Sequence, residues 1–183
     1  MRLGVYFGSF NPVHRGHMQI VYRLLADNLV DRVIIVATME YWDKQSLMPL
    51  DTRIAMLKLY ENENIIIDRS HNQAERTYQL FRQLHEDYPD DELYFVIGAD
   101  SLKRFDQWVN YQELLRYPFI VVERDDIDIT EAMEKLNKQN YLIMRRVRNV
   151  SSTYIREHLD ENLEGMIDRE VLEIMRSQRV FMV

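Results

Sequence analysis

At 183 residues, with 46% of them apolar and dispersed among charges, the chain is sized for one globular domain over 1–183 and is neither disordered nor fibrous. A net charge of −7 sets the average surface against phosphate backbones, which argues against nucleic acid as the main partner, and the lack of cysteine excludes a disulfide framework and a thiolate zinc site. The opening MRLGVYFGSF runs straight into polar and turn-forming residues, unlike a signal peptide, and no segment nears the ~18 consecutive apolar residues of a membrane span, so a cytoplasmic chain without a membrane partner is expected.

The first strand signal is LGVYF at residues 3 to 7, short and rich in β-branched and aromatic residues. Three of the five glycines, Gly4, Gly8 and Gly16, fall within the first sixteen residues, so the backbone there must approach something closely. In GVYFGSFNPVHRGH the strand gives way to a turn with Gly8, Ser9, Asn11 and Pro12, and then to His14, Gly16 and His17 at the mouth of a helix. Amides at such a mouth point outward with partial positive charge and favour an anion, phosphate above all. Neither G-x-G-x-x-G nor G-x-x-x-x-G-K-[ST] is present. Two imidazoles three residues apart stand in their place, each able to donate from one ring nitrogen while a neighbour fixes the other. Zinc ligation is a competing reading, weakened because His71, His85 and His158 have no paired spacing; satisfied surface histidines are another.

Met18, Val21, Leu24 and Leu25 share one face of the helix that follows, and RVIIVA at 32 to 37 reads as the second strand. Asp51 stands at the expected N-cap of TRIAMLKLY, where Ile54 with Leu57, and Ala55 with Leu59, have the spacing of a helix face. IIID at 65 to 68 is a third strand, and Leu80, Phe81 and Leu84 mark a further amphipathic helix. LYFVIG at 93 to 98 is the fourth strand. Gly98 closes it and Asp100 follows, where a carboxylate can accept from ribose hydroxyls while the backbone passes a base; helix capping by Asp100 or Ser101 is the alternative. Trp108 offers an aromatic face that either stacks on a heterocycle or fills the core.

FIVVE at 119 to 123 and YLIMRRV at 141 to 147 complete the strands, separated by ERDDIDITEAMEKLNKQ at 123 to 139, a solvated connection and helix. Ser152 is the expected N-cap of TYIREHL. Ser151, Ser152 and Thr153 present hydroxyls and amides at that helix start, with Arg156 one turn on, a set that can hold the outer phosphates of a nucleotide or simply cap the helix. The order is β-α repeated about five times, and several runs are continuously apolar, so both sheet faces are covered. This predicts a doubly wound, mainly parallel α/β sheet with helices on both faces, its ligands outside the carboxyl ends of the strands.

The segment GSFNPVHRGH resembles the G-x-F-x-P-x-H-x-G-H signature of the nucleotidyltransferase superfamily, with Gly8, Phe10, Pro12, His14, Gly16 and His17 in place. VSSTYIR resembles the family's I-S-S-T-x-I-R motif. FVIGADS followed by a tryptophan and ELL, with RTYQLFRQLHEDYP and FIVVERD, is similar to the nicotinate mononucleotide adenylyltransferases in particular. The resemblance implies a Rossmann-like fold in which His14 and His17 bind the triphosphate and stabilise the transition state. It places the 151–156 segment on the β- and γ-phosphates, Asp100 and Ser101 at the nucleotide, Thr77 near the acceptor, Trp108 on the pyridine ring and Arg124 near a substrate phosphate, although a surface salt bridge suits Arg124 equally. The sequence departs from the family at VATMEYWDKQSLMPLDTR, where Lys44, with Tyr41 or Trp42, is left to serve the acceptor, and at Gln79, which replaces an aspartate.

The reaction implied is attack by the acceptor's phosphate on the α-phosphorus of ATP, with Mg²⁺ bound mainly by triphosphate and water and no dedicated metal site on the protein. Nicotinate mononucleotide is the expected acceptor. Nicotinamide mononucleotide or phosphopantetheine is the alternative within the same chemistry, and a non-catalytic nucleotide-binding module is the alternative outside it. A homo-oligomer is compatible with all of these.

Overall fold

Runs of β-branched and aromatic residues form strands where their faces can be buried, and the described residues pair six of them side by side, the last leaving Leu142 and Ile143 exposed. The computed structural model describes residues 1–39, 47–124, 126–145 and 149–179. Its strands are β1 (Arg2–Gly8), β2 (Arg32–Ala37), β3 (Ile65–Ile67), β4 (Glu92–Gly98), β5 (Phe119–Val122) and β6 (Tyr141–Met144). Every pairing is parallel and the order is β3-β2-β1-β4-β5-β6. This is the doubly wound arrangement read from the sequence, with six strands. The chain order reverses between β1 and β4, the place where such sheets open a crevice for ligands.

Alternate residues of one strand serve opposite layers. Val33, Ile35 and Ala37 of β2 join the core beneath α1 (Arg15–Ala26), α2 (Leu50–Lys58), α7 (Ser152–Glu157) and α8 (Arg169–Arg179). Ile34 and Val36 join the core beneath α3 (Thr77–Asp87), α4 (Ala99–Leu102), α5 (Tyr111–Leu114) and α6 (Thr130–Lys135). Phe81, Phe95, Phe105 and Phe119 are fully buried in the second layer, with ring centroids 4.9 to 5.9 Å apart in successive pairs.

The β1–β4 register runs from Arg2↔Glu92 to Val5↔Phe95, while the strands themselves continue to Gly8 and Gly98. Beyond Val5 and Phe95 the two strands part, which opens the crevice at their carboxyl ends. On the far side β1 stays paired to β2 as far as Gly8↔Ala37.

Several local expectations are corrected. Pro49, not Asp51, is the N-cap of α2; Asp51 sits in the first turn. The buried face of α2 is Arg53, Met56 and Leu57, whereas Ala55 and Leu59 are exposed. Ser151, not Ser152, caps α7, its hydroxyl accepting from the Tyr154 N–H at 3.2 Å. Neither Asp100 nor Ser101 caps α4, whose N-cap is Gly98. Of the segment 123 to 139, expected as a solvated connection and helix, the described residues do form a helix, α6, but Ile129, Met133 and Leu136 are buried in the second core layer.

Candidate active site

The turn after β1 is built around the two histidines. His14 is the N-cap of α1 and His17 its third residue, and they cap each other. The His17 backbone N–H donates to His14 Nδ1 at 3.3 Å, and the His14 N–H donates to His17 Nδ1 at 3.1 Å. The rings stack with centroids 3.7 Å apart and planes 18° from parallel. Because Nδ1 accepts in both rings, each neutral imidazole carries its proton on Nε2. Two Nε2–H donors therefore arise from one helix mouth, beside amides that already favour an anion.

Three neighbours hold this pair in place. A Cβ on Gly16 would lie 2.9 Å from His14 Cε1 and 3.3 Å from Val150 Cβ, so the glycine is where the buried His14 ring and the segment before α7 close on the helix. Phe10, buried and with a positive φ of 47°, meets the His17 ring edge-on at 5.0 Å. Arg53, 2% exposed, donates to the backbone oxygens of Ser9 (2.9 Å), Thr38 (2.8 Å) and Met48 (2.9 Å). It ties the turn after β1 to the turn after β2. Asn11 Oδ1 accepts from the Met48 N–H in the same buried knot.

The C-terminal motif closes directly on this turn. Ser152 Oγ donates to the Pro12 oxygen at 3.0 Å, and Arg156 donates to the Asn11 oxygen at 2.7 Å and to Thr153 Oγ1 at 3.1 Å. Two motifs some 140 residues apart thus make one cradle. Part of the Arg156 guanidinium is committed to shaping it.

Next to Gly8 and Ser9 opens a cavity of about 330 Å³. Phe7, Thr38 and Met39 line it from the strand ends, the 71–77 segment forms its far wall, and Ser101 and Trp108 close it. Thr77 begins α3 at this wall. Trp108 is half-buried and packs against Phe105, with centroids 5.0 Å apart. The expected residues Gly8, Ser9, Thr77, Ser101 and Trp108 are therefore gathered around one space.

Other expected residues sit elsewhere. A Cβ on Gly98 would lie 2.6 Å from Asp100 Oδ1, so this glycine makes room for the Asp100 carboxylate folding back over the strand end. Asp100 in turn pairs with Arg124 at 3.0 Å, the salt bridge held open for that arginine. Lys44, Tyr41 and Trp42 lie outside the described residues. Among the described residues no three histidine or carboxylate groups are placed to hold a metal ion. Gln79 Oε1 accepts from the Arg76 N–H at 3.0 Å, so the residue that departs from the family serves the start of α3.

Sequence reasoning passed over Arg53, Asp68 and Asn72, and weighed His71 only as a zinc ligand. Arg53 was hidden among helical residues. The signal for the others lay in Asp68 and His71 three apart just beyond a strand end, the same position in the fold that drew attention to the first turn.

Residues 5–158 match the model of a family described as cytidylyltransferase-like. A relative from Fusobacterium nucleatum subsp. nucleatum, named as a probable nicotinate-nucleotide adenylyltransferase, is 33% identical, covering 98% of this chain and 100% of its own. One of the same name from Acholeplasma laidlawii is 30% identical over 88% of each chain. The fold is similar to that of Plasmodium falciparum nicotinic acid mononucleotide adenylyltransferase complexed with NaAD, with a TM-score of 0.81 over 98% of this chain and 97% of that one at 20% identity.

Proposed function

The chain belongs to the cytidylyltransferase-like family and, within it, to the nicotinate-nucleotide adenylyltransferases, and from that premise we propose how its own residues carry the reaction. It is a nucleotidyltransferase that joins the AMP of ATP to nicotinate mononucleotide in NAD biosynthesis. A phosphate oxygen of the mononucleotide attacks the α-phosphorus, the bond to the β-phosphate breaks, and pyrophosphate leaves with the electron pair. Such a transfer needs alignment and charge neutralisation more than covalent help.

The observation that carries the assignment is the reciprocal cap of His14 and His17, which fixes both tautomers with Nε2–H as donor. We assign these two donors to the phosphates of ATP, where charge builds as the bond breaks. Gly8, Ser9 and Gly16 shape the turn beside them, with Phe10 beneath His17. Ser151, Ser152, Thr153 and Arg156 on α7 lie against the same turn and suit the outer phosphates. Gly98, Asp100 and Ser101, at the end of the strand across the crevice, suit the nucleoside. Trp108 and Thr77 line the cavity beside Gly8, a space suited to the pyridine mononucleotide, and Arg124, tied to Asp100 just past β4, is assigned to a substrate phosphate. Of the groups assigned to ATP only Asp100 is a carboxylate, and it is already paired. Mg²⁺ would therefore arrive with ATP, coordinated chiefly by phosphate oxygens and water.

No helix among the described residues is long and apolar enough to cross a membrane. The lack of cysteine supports a reducing, cytoplasmic home. The deciding experiment is pyrophosphate release with ATP against nicotinate mononucleotide, nicotinamide mononucleotide and phosphopantetheine. The acid mononucleotide is expected to give the highest kcat/KM, by about tenfold or more over its amide, since discrimination between them rests on groups left unpaired by the wrong partner. Equal use of the two, or preference for the amide, overturns the acceptor. Release with none of them, while ATP still binds, reduces the protein to a nucleotide-binding module.

A further inference from the structure

Most of the cavity wall opposite Gly8 and Ser9 belongs to no strand or helix; residues 69–76 cross from the end of β3 to the start of α3, whose Thr77 and Leu80 complete it. An irregular segment keeps one shape only where side chains tie it down. One tie is Asn72, whose amide donates to the Ala37 oxygen at 2.7 Å. A second, also buried, is His71, 7% exposed. Its Nδ1 lies 2.5 Å from Asp68 Oδ1 and its Nε2 lies 2.6 Å from Asp87 Oδ2, and its backbone N–H donates to Asp68 Oδ2 at 2.9 Å.

A neutral imidazole has one N–H and would meet one of these carboxylates with a lone pair. Both contacts are satisfied only when the ring carries both protons. Burial by itself would lower the His71 pKa, but the hydrogen bonds to Asp68 and Asp87, reinforced by their charges, outweigh it and the pKa is raised. The charged groups at the ring are Asp68 after β3 and Asp87 at the end of α3; both act on the neighbouring Tyr88, as do Arg32 on β2 and Asp91, and Asp68 acts on Arg69, which pairs with Glu61. Burial raises the Tyr88 hydroxyl above its ordinary value, away from the range in which His71 titrates.

We propose that His71 is a positioning residue for the mononucleotide acceptor: clamped between Asp68 and Asp87, it fixes the 69–76 segment, and with it Arg76 and Thr77, as the wall of the acceptor cavity. The identity of the ligand rests on the adenylyl-transfer reading; the clamp does not. His14, His17 and α7 stand on other elements, so ATP binding is left alone when the clamp opens.

The test measures KM for nicotinate mononucleotide and for ATP, each at saturating partner, from pH ~6.5, the ordinary histidine value, upward to about 9.5, the direction in which the His71 titration is displaced. His71→Gln is expected to raise the mononucleotide KM about tenfold, the scale of a wall displaced by a fraction of an ångström, with the ATP KM within about twofold. In the wild type the mononucleotide KM rises by a similar factor as pH passes the His71 pKa. Asp87 is 61% exposed, so Asp87→Asn folds, and its amide can donate to the neutral ring. That variant is expected to lose the alkaline rise. A histidine needed only for stability would not separate the two KM values or make the pH step depend on Asp87.

Equal changes in both KM values, or an unaltered pH step in Asp87→Asn, overturn the proposal. If the wild type does not use nicotinate mononucleotide, the functional reading fails separately. The clamp is then judged by ¹⁵N–¹H spectra of the imidazole at pH ~6.5, the ordinary histidine value and so below a raised one. Two protonated ring nitrogens on His71 support it, and one overturns it.

Discussion

Replacing Gly16 by alanine tests the central feature of the site, because two effects of known sign oppose each other there. Gly16 has no positive φ, and alanine in the first turn of α1 should gain up to about 1 kcal/mol of helix propensity. Against this, the new methyl would lie 2.9 Å from His14 Cε1 and 3.0 Å from its Nδ1. Ordinary carbon contacts need about 3.5–4.0 Å, so the ring must retreat by roughly 0.5–1 Å. Its Nδ1 already accepts from the His17 N–H at 3.3 Å. That bond would break, at a net cost of about 0.5–1.5 kcal/mol. The stability terms nearly cancel, so the melting temperature should move by only a few degrees. Catalysis has no such compensation. A donor misplaced by up to an ångström costs on the order of 10²-fold, and a kcat fall of about 10- to 100-fold is expected from pyrophosphate release at saturating ATP and nicotinate mononucleotide. A variant with kcat within twofold of the parent would falsify the view that His14 works from its seat on Gly16. Loss of cooperative folding would show instead that the contact is structural.

The remaining predictions concern the groups around that seat. His17→Ala should lower kcat by about 10²-fold or more with little change in ATP affinity, as for loss of one preorganised donor; near-normal turnover would sink its assignment. Arg156→Ala should weaken ATP binding more than acceptor binding, by the roughly 1.5–3 kcal/mol of a charge-assisted contact, and separate titrations that find a loss confined to the acceptor would reverse the placement of the two ligands. Arg53→Met leaves the buried oxygen of Met48 and the part-buried oxygens of Ser9 and Thr38 without their donor, so a loss of about 2–3 kcal/mol is expected in denaturant melts, and an unchanged midpoint refutes the bridging role of Arg53. The Arg2 guanidinium and backbone N–H hold the Asp31 carboxyl at about 2 against its ordinary 3.8. A depressed carboxylate stabilises fully above its unfolded pKa and loses that contribution as pH falls through the folded one. Asp31→Asn should therefore flatten the fall in stability between those two values, and an unchanged acid slope would count against the pairing.

The sequence by itself determined the sheet and pointed to the turn after β1 as the first half of the candidate site. Continuous apolar runs such as RVIIVA demand cover on both faces, and the alternation of Ile34 and Val36 against Val33 and Ile35 delivers it. Gly8, His14 and Gly16 were legible because a strand, a turn and a helix mouth adjacent in the chain leave few geometries open. The same local logic misplaced the caps at Asp51 and Ser152 by one or two residues, and missed α8, whose buried Val171 and Met175 are few among charges. Only the tertiary structure decided what depends on distant partners. It turned Asp100 toward Arg124, brought Ser152 and Arg156 onto the backbone of Pro12 and Asn11, set Arg53 beneath two turns at once, and seated His71 between carboxylates on two different elements. Chain spacing constrains neighbours within a few residues. A side chain that bridges elements takes its partner from the way the layers pack, and that is written in no single stretch of sequence.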